Sequence, residues 1–86
     1  IESIESNFYV RTETEDRPGV LAAIAAVFGN HNVSLESMLQ KQAVGDVAEI
    51  VWITHRTNEG NLRGALQEIQ ALPVVRRISN WIRVEE

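Results

Sequence analysis

The sequence predicts an α+β domain built from two strand–helix–strand halves joined by a hairpin, and three observations carry that prediction. Four stretches, 7–14, 33–42, 47–56 and 74–84, have the β-branched content and period-two spacing of strands. Between the first pair, and again between the second pair, apolar residues recur three and four apart, the helical period. Between the second and third stretches lies Gly45-Asp46, the dipeptide of a hairpin tip. The order strand, helix, strand, strand, helix, strand is the split βαβ arrangement, the ferredoxin-like sandwich: a four-stranded antiparallel sheet with both helices on one face. The opposite sheet face, or an edge strand, is left to water or to a partner. Tyr9, Trp52 and Trp81 are expected on that side.

Each element has its own local reason. In the first strand Phe8, Val10 and Thr12 alternate with Tyr9, Arg11 and Glu13, which gives one inward face. The first helix, over 18–31, places Val20, Leu21, Ile24, Val27 and Phe28 in one stripe, with alanines filling the other turns. Pro18 suits its first helical position, where a missing N–H costs nothing. Gly29-Asn30-His31-Asn32 tolerates left-handed backbone and closes it. The second strand is expected to set Val33, Leu35 and Ser37 on one face and Ser34, Glu36 and Met38 on the other. Ile50-Val51-Trp52-Ile53-Thr54 reads as a central strand because it is apolar in both phases. Thr57-Asn58 supplies caps for a second helix with Leu62, Leu66, Ile69 and Leu72 in one stripe, weakened by Gly60 and Gly64. Pro73 ends that helix, and Val74, Ile78, Ile82 and Val84 share the phase of the last strand.

Composition narrows the function. With 86 residues and 44% hydrophobic content, one domain with one modest core is expected, of a size that gains stability by association. A net charge of −4 with no block of basic residues argues against nucleic acid and acidic membrane surfaces as partners. No cysteine is present, so a disulfide framework, a thiolate metal site and a cysteine nucleophile are excluded. No apolar run of about 20 residues offers a membrane span, and no charged-then-apolar leader is seen. A cytoplasmic location is the expectation. The chain opens with Ile1 instead of Met, and the expectation is a single domain over 1–86 that forms the C-terminal part of a longer enzyme.

The richest stretch is Glu15-Asp16-Arg17-Pro18-Gly19-Val20-Leu21, where a strand end becomes a helix start. The N–H groups of Gly19, Val20 and Leu21 would leave the helix unpaired and at the positive end of its dipole. That arrangement suits a carboxylate, and Gly19 lets it approach. The same seven residues also read as a well-capped connection that binds nothing.

The run from Tyr9 to Gln40, with Asp16-Arg17-Pro18-Gly19-Val20-Leu21 followed by Phe28-Gly29-Asn30-His31-Asn32-Val33-Ser34-Leu35-Glu36, resembles an ACT domain. Leu39-Gln40-Lys41, Ala48-Glu49-Ile50-Val51, Ile53-Thr54-His55 and Ile82-Arg83-Val84-Glu85 are most similar to the C-terminal ACT domain of bacterial homoserine dehydrogenases. The resemblance implies an amino-acid-sensing regulatory module, without catalytic residues of its own, that pairs side by side as a homodimer. It implies threonine as feedback effector, and a parent oxidoreductase that reduces aspartate semialdehyde to homoserine. NAD(P) would be held by the catalytic part, since no glycine-rich phosphate loop follows a strand here. As ligand-binding residues it implies the amides of Gly19, Val20 and Leu21 for the carboxylate, Asp16 for the ammonium or a hydroxyl, and Ser34, Leu35, Glu36 and Gln40 from the second strand. Serine-sensing relatives carry Asn at the positions of Asp16 and Ser34.

As parent, another amino-acid-pathway enzyme carrying an ACT domain is the alternative, and two further readings stand beside the sensor. One is a dimerisation module with a silent ligand site. The other is a small enzyme of the acylphosphatase kind on the same fold, with Arg17 near an anion loop whose remaining residues are missing. His31 and His55 have no second ligand at metal-binding spacing and read as capping or surface residues.

Overall fold

The computed structural model of the chain describes residues 5–41 and 43–84. Its elements are β1 (Glu5–Glu15), α1 (Val20–Asn30), β2 (Leu35–Gln40), β3 (Val47–Thr54), β4 (Thr57–Asn58), α2 (Glu59–Gln70) and β5 (Val75–Val84). β1 lies at the centre of an antiparallel sheet, between β3 and β5, and β2 lies beyond β3. The expected four strands are therefore present in the spatial order β2-β3-β1-β5. The two-residue β4 joins them, pairing Ser6 with Thr57 and Glu5 with Asn58. It prolongs the line of β3 one residue out of register, after a break at His55 and Arg56. Asn58 closes β4 and caps α2 at once, its side-chain oxygen accepting from the Asn61 N–H at 2.7 Å.

The core lies between the sheet and both helices. β1 sends Phe8, Val10, Thr12 and Thr14 inward, β3 sends Ala48, Ile50, Trp52 and Thr54, and the helices close over them with Ile24, Phe28, Leu62 and Ile69. Where α1 ends, Asn32 adopts φ 62°, the left-handed residue that the closing Gly-Asn-His-Asn run supplies. At the β2–β3 hairpin Gly45 has φ 65° and Val44 and Val47 exchange both backbone hydrogen bonds, at 3.0 and 3.2 Å. Positive φ at the first of two loop residues is what a right-twisted hairpin requires.

Several expectations about faces are corrected. Trp52 is 1% exposed and stacks at 5.6 Å on Phe28 inside the core; the register Val10↔Trp52 puts it in the inward phase of β1. Trp81 also lies on the helix side, 5.9 Å from Phe8 and under the Arg63 guanidinium. Of the three aromatics, only Tyr9 stands on the open face. A bulge between Leu35 and Ser37 turns Ser37 to the open face and Met38 to the helix side, reversing their expected assignment, because one extra residue inverts every later side chain. Two further irregularities between β1 and β5 set Val75, Ile78 and Trp81 inward and Ile82 and Val84 outward, so the expected single phase of β5 does not hold. The proposed end of the second strand at Gln42 lies outside the described residues, as does Glu85 of the closing motif.

Candidate functional site

The site is built where the ends of three strands meet the start of α1. The helix begins at Val20, two residues later than Pro18 suggested: Pro18 sits in the preceding turn, and Gly19 is the N-cap with φ 86°. That conformation is nearly free for glycine and costs other residues about 1–2 kcal/mol. The first helical hydrogen bond runs from the Ala23 N–H to the Gly19 carbonyl at 3.0 Å. No side chain caps the helix, so the N–H groups of the cap residue Gly19 and of Val20, Leu21 and Ala22 have no partner within it. The orphan donors thus run from Gly19 to Ala22, so the set includes the expected Gly19, Val20 and Leu21 amides and adds Ala22, and the dipole argument carries over unchanged.

Two backbone bonds fix the turn. The Glu15 N–H donates to the Val74 carbonyl at 2.8 Å, and the Asp16 N–H donates to the Asp46 carbonyl of the hairpin tip at 2.9 Å. Arg17 turns back onto the Glu15 carboxylate at 3.0 Å. Between this turn and the sheet lies a cavity of about 130 Å³ lined by residues 14–21 together with Gln40, Ala48 and Ile50. Its floor follows from register: Thr14 pairs with Ala48, and Gln40 with Ile50. Thr14 and Ala48 are small where a core strand would otherwise carry large side chains, and the cavity is the space they leave.

Five of the eight expected residues, Asp16, Gly19, Val20, Leu21 and Gln40, line this one cavity. Ser34, Leu35 and Glu36 do not; they lie at the far end of β2, where the Ser34 carbonyl accepts from the His55 N–H at 2.8 Å. Thr14, Ala48 and Ile50 were missed as lining residues. Their signal is the strand pairing, which a single sequence does not state.

Other features are weaker candidates. A wider groove of about 330 Å³ runs between α2 and β5, bordered by Arg63, Gln67, Gln70 and Trp81. Two of its polar groups are already engaged: Arg63 binds Glu59 at 2.7 Å, and the Gln70 side-chain oxygen accepts from the Ile78 N–H. His31 is the C-cap of α1 through its backbone N–H, which donates to the Val27 and Phe28 carbonyls at 3.2 and 3.1 Å, while its Nε2 lies 2.9 Å from Glu68 of α2. Among the described residues no three His, Asp or Glu side chains gather as a metal site.

The model of the ACT domain family matches residues 8–74. The chain is 45% identical over 84 residues to homoserine dehydrogenase of Synechocystis sp., covering 98% of this chain and 19% of that protein. To homoserine dehydrogenase of Neisseria gonorrhoeae it is 38% identical over 86 residues, covering 99% of this chain and 20% of that one. The crystal structure of a homoserine dehydrogenase from Thiobacillus denitrificans superposes with a TM-score of 0.87 at 33% identity, over 99% of this chain and 19% of that one. At 14% identity the ACT domain from GTP pyrophosphokinase of Chlorobium tepidum shares the fold, with a TM-score of 0.71 over 94% of this chain and 100% of that one. The chain thus spans about a fifth of the homoserine dehydrogenases it matches. With the βαββαβ order, the Asp-Arg-Pro-Gly turn and the family match in agreement, the chain belongs to the ACT domain family, the regulatory kind of module, and is similar to the ACT region of homoserine dehydrogenases.

Proposed function

We propose that this domain senses an amino acid, threonine by preference, and gives feedback to a homoserine dehydrogenase of which it forms the regulatory part. The observation that carries the reading is the cavity at the start of α1, which joins unpaired helix-start amides to the Asp16 and Gln40 side chains. An α-carboxylate suits the amides, and an ammonium or hydroxyl suits the Asp16 and Gln40 oxygens. NAD(P) and the reduction of aspartate semialdehyde belong, in this reading, to the remainder of the parent enzyme.

Pairing of two domains through β2 fits the same site. β2 is an edge strand with β3 as its neighbour. The Lys41 N–H donates to the Glu49 carbonyl, so antiparallel alternation turns the N–H groups of Met38 and Gln40 to the free edge. Antiparallel pairing of two copies centred on Met38 would set Gln40 opposite Glu36 of the partner subunit. That brings the Ser34-Leu35-Glu36 end of one β2 to the cavity of the other, and accounts for ligand candidates that one chain holds apart.

A thermal-shift screen of the chain against the proteinogenic amino acids tests the proposal, because a ligand that binds only the folded state raises Tm by mass action. A selective rise with L-threonine and none with D-threonine is expected. No rise with any amino acid at millimolar concentration would leave only the dimerisation module.

A further inference from the structure

The groove of about 330 Å³ between α2 and β5 is near the lower end of the range for small-ligand sites. Arg63, Leu66, Gln67 and Gln70 fall three, one and three residues apart, so they share one face of α2, and Ile78 and Trp81 meet them from β5. Leu66 is buried, and Ile78 and Trp81 are half-buried against the core, so the floor is apolar. None of these six lines the cavity at the start of α1. The two sites are separate.

Charge sets the sign of a ligand. α2 and β5 together hold four arginines and two glutamates, in a chain of net charge −4. Glu59 is shared by the Arg63 and Arg83 guanidiniums, and Glu68 is turned to His31 at 2.9 Å. Two guanidiniums on one carboxylate leave net positive charge at the Arg63 end, and among the described residues no carboxylate lines the groove. Donors and acceptors are as unequal. Arg63 uses only its Nε for Glu59, at 2.7 Å, and keeps its terminal nitrogens. The Gln70 oxygen is taken by the Ile78 N–H at 3.2 Å, which leaves the amide NH₂. The Trp81 indole N–H has no hydrogen-bond partner among the described residues. Among the described lining side chains, Gln67 alone offers a free oxygen.

We propose that this groove is a second ligand site, for an aliphatic monocarboxylate that carries no amine. The Arg63 guanidinium stands 5.1 Å over the Trp81 ring, a stack that holds its fork in place for a carboxylate. The aliphatic chain then covers Leu66, Ile78 and Trp81 and leaves water. An α-ammonium would lie beside a guanidinium with one amide oxygen to accept from it and no carboxylate to offset it. Amino acids are therefore disfavoured in this groove, whereas the cavity beside Asp16 suits them. An extended peptide is disfavoured as well, because the Ile78 N–H that an added strand would pair is already bonded to Gln70.

Hexanoate and norleucine share one carbon skeleton and differ by the ammonium. Titration of the nitrogen-15-labelled 86-residue chain with each, followed at the indole N–H signals, tests the proposal. Hexanoate should move the Trp81 signal saturably at millimolar concentration. Trp52, whose indole N–H is held by Thr12 in the core, should stay where it is. Norleucine on the native chain, and hexanoate on the Arg63→Gln or Gln67→Glu chain, should each bind about threefold or more weakly, the scale of one exposed ion contact. Both positions are exposed, so both variants should keep the circular dichroism spectrum of the native chain. A Trp81 signal unmoved by hexanoate would overturn the proposal, and so would equal affinity for norleucine or unchanged affinity in either variant. Shifts at the Val20, Leu21 and Ala22 amides in place of Trp81 would assign the carboxylate to the other cavity and overturn it too.

Discussion

Thr12 is a polar side chain in the middle of the core, and its hydrogen bonds explain why. The Trp52 indole N–H donates to the Thr12 hydroxyl at 3.1 Å, and that hydroxyl donates to the Ile50 carbonyl at 3.2 Å. Burying the largest aromatic of the chain thus leaves no indole N–H unpaired. Thr12→Val should lower unfolding free energy by about 1–3 kcal/mol, because the N–H loses its acceptor. In urea titrations the Thr12→Val/Trp52→Phe double variant should lose less than the sum of the single variants; strict additivity would mean that the bond carries no coupling. On the open face, the Arg77 guanidinium, helped by the Ser79 hydroxyl and opposed by desolvation, holds the Glu13 carboxyl below its ordinary value. Arg63 and Arg83 do the same for Glu59. A carboxyl lowered by folding contributes stability above its unfolded value and loses that contribution as pH falls through its folded value. Arg77→Gln should therefore reduce the drop in Tm between neutral pH and the acid side of the carboxylate range, as read by scanning calorimetry. Trp52 also marks where the sequence stops being legible at this scale. β3 is apolar in both phases, so which phase faces inward is settled only by pairing with Val10.

At the scale of elements, α1 and its preceding turn carry the site. Gly19 sits at φ 86° with open space where a Cβ would stand, so Gly19→Val has a conformational cost of about 1–2 kcal/mol. Its methyl groups would occupy the carboxylate's approach to the amides. The expected outcome is a folded variant, with Tm lowered by several degrees, that has lost its amino-acid response. Ala48→Leu probes the opposite wall: its added carbons have the cavity to enter, so the fold should persist while ligand no longer shifts Tm. An undiminished shift in either variant would place the ligand elsewhere. Element existence and order were legible because the periods of two and 3.6 are separate, and the caps at Asn32, Gly45 and Asn58 announce themselves by residue type. The faces of β2 and β5 were not, because bulges near Glu36 and Ser79 change the phase midway and leave no composition signal. Gly64 shows the same limit: read as a weak helix residue, it lies under His31, and a Cβ there would come within 2.9 Å of the ring.

For the whole molecule, the central claim is that one end of the sheet binds an amino acid and that pairing of copies through the β2 edge completes the site. The cavity was half legible: the Asp-Arg-Pro-Gly turn named its rim, but its floor of Thr14, Ala48 and Ile50 comes from three strands that only the fold brings together. Ser34, Leu35 and Glu36 lie away from that cavity within one chain, which is why edge pairing and ligand response should depend on each other. Met38→Pro is accordingly expected to weaken the threonine response as well as the edge dimer, whereas Ile82→Glu should leave the response intact; titrations monitored by Tm distinguish the two. The most direct measurement is a nitrogen-15 NMR titration of the chain with L-threonine. The account predicts saturable shifts concentrated in the amides of Asp16, Gly19, Val20, Leu21, Ala22 and Gln40, with smaller ones at Ser34, Leu35 and Glu36. Shifts confined to the groove beside Arg63, Gln70 and Trp81, or a spectrum unchanged at millimolar threonine, would contradict it.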